Sequence, residues 1–232
     1  MIDSHLHISF DPDPELFVET FSPQVDAFVL ASYDLEDARN NLELTKKSNI
    51  YAFVGVHPLS ESPFDEDEAA ELLGMSRILG IGECGLDKRG NVPAQLEILK
   101  RQLDLACQMG RPVCVHLVGC HQEFLEVITP LRGRLRGFIH GFTGSLELYE
   151  KYSSFGFKIS VGTQILQRGK RIMQVLGAAG VDCILVESDY DGHVPYDPEN
   201  LARTAEVISG IKGYDCTQEL DLNAKKLIEG VI

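Results

Sequence analysis

Two periodicities alternate along the chain. Short apolar, β-branched runs recur at positions 1–8, 25–32, 51–58, 77–86, 112–118, 135–142, 156–163 and 183–190, from "MIDSHLHI" to "CILVESDY". Each is followed by a longer segment, and several of these carry apolar residues at helical spacing, as in 35–48, 94–110 and 145–156. Several of these segments end on a Gly or Asn where a helix C-cap is expected. No linker, low-complexity tract or composition break interrupts the series. Eight strand–helix units in 232 residues predict an α/β chain with one domain over 1–232, a (β/α)8 TIM barrel. The rival, a doubly wound open sheet, calls for a Gly-rich phosphate loop after the first strand. Here that strand runs into "SFDPDPE", without glycine.

Polar residues stand at the C-terminal ends of these apolar runs, where barrel active sites lie. Strand residues i and i+2 share a face. His5 and His7 therefore point together, and Asp3 precedes them. The same parity puts Glu83 with Ile81, His116 with Cys114, His140 with Phe138, and Asp189 with Glu187 and Leu185. Four imidazoles and two carboxylates are thus expected to converge from strands 1, 4, 5, 6 and 8. Left to themselves they would bury anions among bulky polar rings; bound divalent cations would give each a partner.

Composition bounds the chemistry. Hydrophobic residues make up 44% of the chain, ordinary for a globular protein. No apolar run approaches a membrane span, and no basic segment followed by an apolar one marks a secretory signal. Met1 reads as the native start and the cytoplasm as the expected location. The six cysteines form no CxxC and sit mostly in apolar runs, which predicts reduced, buried side chains. A formal charge of −14 argues against passive coating of nucleic acid but leaves room for a locally cationic site.

The segments "DSHLH", "GVHP", "GECGLD", "PVCVHL", "IHGFTGS" and "LVESDY", with "LNAKKLI" near the end, resemble the successive signatures of the TatD family of metal-dependent hydrolases. The resemblance runs from Ile2 to about Ile228 and implies a TIM barrel of the amidohydrolase type. It implies His5, His7 and Asp189 on one metal, His116 and His140 on a second, and Glu83 bridging the two. His57 of "GVHP" matches a family histidine near the reacting phosphate, for substrate contact or proton transfer. The implied catalytic residues are Asp189, Glu83 and His57, with Asp189 exchanging a proton with the attacking water. Three departures stand out. Val118 replaces an arginine common in family nucleases, Lys88 ends the motif that usually reads Gly-Leu-Asp-Tyr, and Tyr190-Asp191 replaces Ala-Pro.

The expected activity is hydrolysis of a phosphodiester, a deoxyribonuclease acting on single-stranded or nicked DNA. The alternative on the same binuclear site is a small anionic ester, amide or lactone; a non-catalytic metal- or partner-binding barrel is a third reading. The cofactors are two divalent cations. Ligand softness favours Zn, Mn, Co or Ni, while family nucleases commonly use Mg. Lys88, Arg168 and Lys170, with Arg89 and Arg171 beside them, fall in loops on the catalytic face and are candidate phosphate contacts. His121 and His193 read as ordinary loop histidines, and Arg132, Arg134 and Arg136 as surface on the opposite face.

Overall fold

The computed structural model describes residues 1–47, 49–167 and 169–230. Eight strands appear in the order expected: β1 (Ile2–Leu6), β2 (Ala27–Leu30), β3 (Ile50–Val54), β4 (Ile78–Asp87), β5 (Val113–Val118), β6 (Gly137–Ile139), β7 (Phe157–Val161) and β8 (Ile184–Val186). Helices α1 (Pro14–Phe21), α2 (Leu35–Leu44), α3 (Glu66–Leu73), α4 (Val92–Met109), α5 (His121–Ile128), α6 (Leu146–Ser154), α7 (Lys170–Ala178) and α8 (Glu199–Lys212) follow the strands in turn. The helix α9 (Thr217–Ile228) closes the order. Local chemistry starts the helices where they start. Asp13, Asp34, Asp65, Asn91 and Ser145 each accept a backbone N–H of the first turn, satisfying a donor the helix cannot.

Strand order in the sheet equals strand order in the chain, and every pairing is parallel. The ends meet at a seam beyond β8. Asp189 N donates to His5 O at 3.0 Å, His7 N to Tyr190 O at 2.7 Å, and Ser4 Oγ to Val186 O at 2.7 Å. Alternation along the strands divides the apolar side chains into two layers. Ile2, Val29, Phe53, Leu79, Phe138 and Leu185 fill the barrel interior, and Leu227 of α9 packs on the same cluster. Leu6, Leu30, Val54, Val115, Ile159 and Val186 face outward and pack under the helices.

Ile81 belongs to this outer layer, whereas Glu83 points inward, so the parity that paired them fails. The register of β4 against β5 shifts between Ile81 and Cys84, and the shift re-aims Glu83. The cysteines are all free, with Cys84, Cys114, Cys120 and Cys216 buried, as the apolar runs around them predict. Arg132 and Arg136 donate to Ser154 O and Gly110 O at the C-terminal ends of α6 and α4, the face away from the strand ends. Among the described residues no helix is long and apolar enough to cross a membrane.

Gly85 shows how tightly β4 lies on β5. A Cβ there would stand 1.8 Å from His116 O, and φ of +152° is one that side-chain-bearing residues avoid. Gly85→Ala is therefore expected to destabilise the fold by at least about 1–3 kcal/mol, read as a lower urea midpoint. An unchanged midpoint would show that β4 and β5 can separate without cost.

Candidate metal centre

The C-terminal ends of β1, β4, β5 and β6 deliver their polar side chains to one point, and that point is Glu83. Its carboxylate is 1% exposed and is faced from two sides. Oε2 lies 2.8 Å from His7 Nε2 and 3.5 Å from His5 Nε2. Oε1 lies 2.7 Å from both His116 Nδ1 and His140 Nε2, and 3.6 Å from His57 Nε2. Asp189 enters from the β8 end, with Oδ1 3.5 Å from His5 Nε2 and 3.8 Å from His140 Nδ1. The six expected cage residues and His57 are thus brought together. His5 and His7 group with Glu83 Oε2, and His57 and His116 with Glu83. Asp189 sits between His5 and His140, whose rings stack at 4.0 Å, instead of beside His5 and His7 alone.

Charge inside this cage is settled by Glu83. Burial opposes its anion, but His140, His116 and His5 outweigh burial and hold it well below the usual carboxylate range. Conversely, burial opposes a cation on His140, yet the facing Glu83 pushes that imidazole up to about 10. His7 is raised against burial for the same reason. Burial lowers His5 well below its ordinary value, reinforced by the cationic His140. Burial also takes His57 down to about 4, so it is neutral at pH 7.

The donor set suits divalent cations. His5 Nε2, His140 Nδ1 and Glu83 Oε2 are buried without an aligned hydrogen-bond partner, close to one another yet unable to satisfy one another. Divalent cations shared among them would resolve that frustration, and imidazole with carboxylate is a common ligand mixture for such ions.

Behind the cage stand three carboxylates with positioning roles. His116 Nε2 is 3.0 Å from Asp87 Oδ2, which fixes the ring so that Nδ1 offers its lone pair to the centre. Asp87 is itself fully buried, gripped by Arg89 Nε at 3.0 and 2.9 Å and by Gln95, which bonds both its N–H and its C=O. Asp3, which precedes the first histidines, is no part of the cage. It accepts Ser188 N at 2.8 Å and Tyr196 Oη at 3.0 Å, tying β1 to the segment that presents Asp189. Asp189 takes a positive φ of 54°, a conformation Asp tolerates better than most residues. Glu187 accepts Gly141 N at 2.7 Å and a bond from Ser160 Oγ, bracing the residue after His140. Neither Asp87, inside the GECGLD segment, nor Glu187, which shares a face with Asp189, carries a role in the sequence reading, although Asp87 falls at Glu83+4 and shares its parity.

The expected phosphate contacts fare unevenly. Lys88 is exposed on the loop after β4, and Lys170 is exposed at the start of α7. Arg89 is committed to Asp87 and is a structural cation instead. Arg168 lies outside the described residues. His121 opens α5 with Nδ1 2.8 Å from Tyr152 Oη, and His193 is exposed on the β8 loop. Asp87→Asn is expected to weaken divalent-cation binding about 10- to 100-fold, measured by titration calorimetry on stripped protein. Unchanged affinity would make the pair structural only.

Comparison with known proteins bears on the family and the fold. The model of the TatD-related DNase family matches residues 2–228. The 3′-5′ ssDNA/RNA exonuclease TatD of Erwinia billingiae is 29% identical over 200 residues, covering 76% of this chain and 77% of its own. The uncharacterised metal-dependent hydrolase YabD of Bacillus subtilis is 24% identical over 232 residues, covering 91% of each. Among solved structures, the TatD homologue YJJV of Escherichia coli K12 superposes with a TM-score of 0.85 at 24% identity, over 100% of this chain and 97% of that one. With the family model matching almost end to end, this chain belongs to the TatD-related DNase family.

Proposed function

We propose that this protein is a divalent-metal-dependent phosphodiesterase that removes nucleotides from an end of single-stranded nucleic acid. The observation carrying the reading is Glu83, one dry carboxylate with each oxygen turned to a different set of imidazoles, set in a chain of the TatD family. His5, His7 and Asp189 would hold one cation and His116 and His140 the other, with Glu83 shared. Two such ions supply activation of water for attack and offset of charge on the phosphoryl oxygens.

The chain's own groups complete the reaction. Glu83, sealed from solvent, would help hold the cations and takes no part in proton transfer. Asp189, whose side chain is 39% exposed, is the carboxylate of the cage that reaches the mouth. It is placed to take the proton of the attacking water and return it to the leaving oxygen. His57 Nδ1 accepts Leu59 N at 3.0 Å, so in the neutral ring Nε2 carries the proton. That N–H is aimed at the cage and is suited to donate to a non-bridging phosphate oxygen. With two dications and two carboxylates the cage is net positive, which draws an anionic group toward it although the chain as a whole is acidic.

One observation favours a second reading, hydrolysis of a small ester, amide or lactone. Val118 stands where family nucleases commonly carry an arginine, and Asp11, Asp34, Glu61 and Asp191 lie on the loops around the mouth. Protein stripped and reloaded with Mg²⁺, Mn²⁺ or Zn²⁺ is expected to shorten an end-labelled single-stranded oligonucleotide from its 3′ end. Asp189→Asn is expected to cut kcat at least about 100-fold. Intact oligonucleotide in the presence of bound metal would overturn the phosphodiesterase and turn attention to the smaller substrates.

A further inference from the structure

Aromatic surface lines the mouth on the side of β1 and β2, and the cage makes no use of it. Phe10, just after the β1 histidines, is 46% exposed. One face of its ring lies on His7, with centroids 5.4 Å apart and planes 22° from parallel. Tyr33, after β2, meets Phe10 edge-on at 5.7 Å and stacks on His57 at 5.1 Å. Phe10 and Tyr33 thus form a continuous shelf over two imidazoles, and one of these, His7, touches Glu83.

The shelf is held in place by its backbone. Asp11 N donates to Ile8 O at 2.8 Å, and Tyr190 Oη donates to Asp11 Oδ2 at 2.5 Å. Gly192 of the β8 loop lies so close that a Cβ would stand 2.4 Å from Phe10 O. An exposed ring fixed this firmly leaves apolar area in water, which a flat apolar ligand face would cover.

Charge narrows what that ligand face is. Asp11, Asp34, Glu61 and Asp191 stand on the loops after β1, β2, β3 and β8, the same side of the barrel as the shelf. A phosphate backbone tracking along this side would be repelled. The exposed Lys88 stands on the loop after β4 and the exposed Lys170 at the start of α7, on other βα units of the barrel. A neutral heterocycle suits the shelf, and the phosphate attached to it suits the cage.

We propose that Phe10, backed by Tyr33, is the stacking platform for the unpaired base at the reacting end of a single-stranded substrate. The proposal rests on the phosphodiesterase reading above and adds how the substrate end is recognised. Recognition here runs through the face of the base, which every base possesses, and so tolerates any sequence. An unpaired base can turn onto the shelf while its phosphate stays at the cage; a paired one is held by its complement.

The test uses a short oligonucleotide with 2-aminopurine at its 3′ end and metal-loaded protein made inactive by Asp189→Asn. With Phe10 present, and with Phe10→Trp, the probe's fluorescence should change on binding as its base stacks. Phe10→Ala should abolish that change and weaken binding about tenfold. In cleavage-competent protein, the ratio of kcat/KM for a terminal nucleotide with its base to one that is abasic should fall from about ten to near one with Phe10→Ala. Metal content, measured on each variant, reports whether His7 has been disturbed. A Phe10-dependent fluorescence change without cleavage by any loaded protein would keep the platform and refute the chemistry. Absence of binding, a fluorescence change that survives Phe10→Ala, or an unchanged ratio would overturn the platform.

Discussion

A carboxylate stripped of water in the middle of a barrel has to be compensated, and everything around Glu83 follows from that requirement. Burying an isolated anion costs several kcal/mol even after the protein relaxes. Here the cost is met by imidazoles arriving from β1, β5 and β6, each with a ring nitrogen within 3.5 Å of one of the two oxygens. In the protein alone, that compensation puts a proton on a buried ring, as on His140, which Glu83 pushes up to about 10 against burial. Divalent cations satisfy the same groups with less conflict. Burial of the charge and affinity for metal are thus one property of the site.

The parallel barrel is what makes this convergence affordable. Each strand brings its last inward residue to the same end, while the layers below are closed by Phe53, Phe138, Leu185 and Leu227. The weak point of such a ring is where β8 must find β1. Asp3 holds the Ser188 N–H there and receives Tyr196 Oη, so the residue two places before His5 secures the peptide one place before Asp189. Closing the barrel and placing the cage carboxylate that reaches the mouth are the same set of hydrogen bonds. Function is carried by side chains whose backbone is pinned, with the loops above them free to differ between relatives.

Much of this was legible in the chain itself. Short apolar, β-branched runs located the eight strands, and polar residues at the ends of the first, fourth, fifth, sixth and eighth marked the cage. What escaped was what alternation does not encode. Glu83 faces inward although Ile81 faces outward, because a register shift against β5 intervenes. Arg89 read as a phosphate contact, yet a carboxylate two residues away claims it at close range. Asp87 and Glu187 are buried acids that brace His116 and Gly141 across long separations in the chain, and short-range pattern does not announce those contacts. Phe10 lay in a stretch read only for its lack of glycine, and its exposure depends on how the β1 and β8 loops pack together.

The proposed sharing of Glu83 by two cations is the feature on which the reading of the site turns. Anomalous diffraction from crystals of Zn²⁺- or Mn²⁺-loaded protein tests it most directly. Two peaks about 3.5–4 Å apart are expected, one on each side of the Glu83 carboxylate. A single peak away from Glu83, or full occupancy elsewhere with the cage empty, would contradict it.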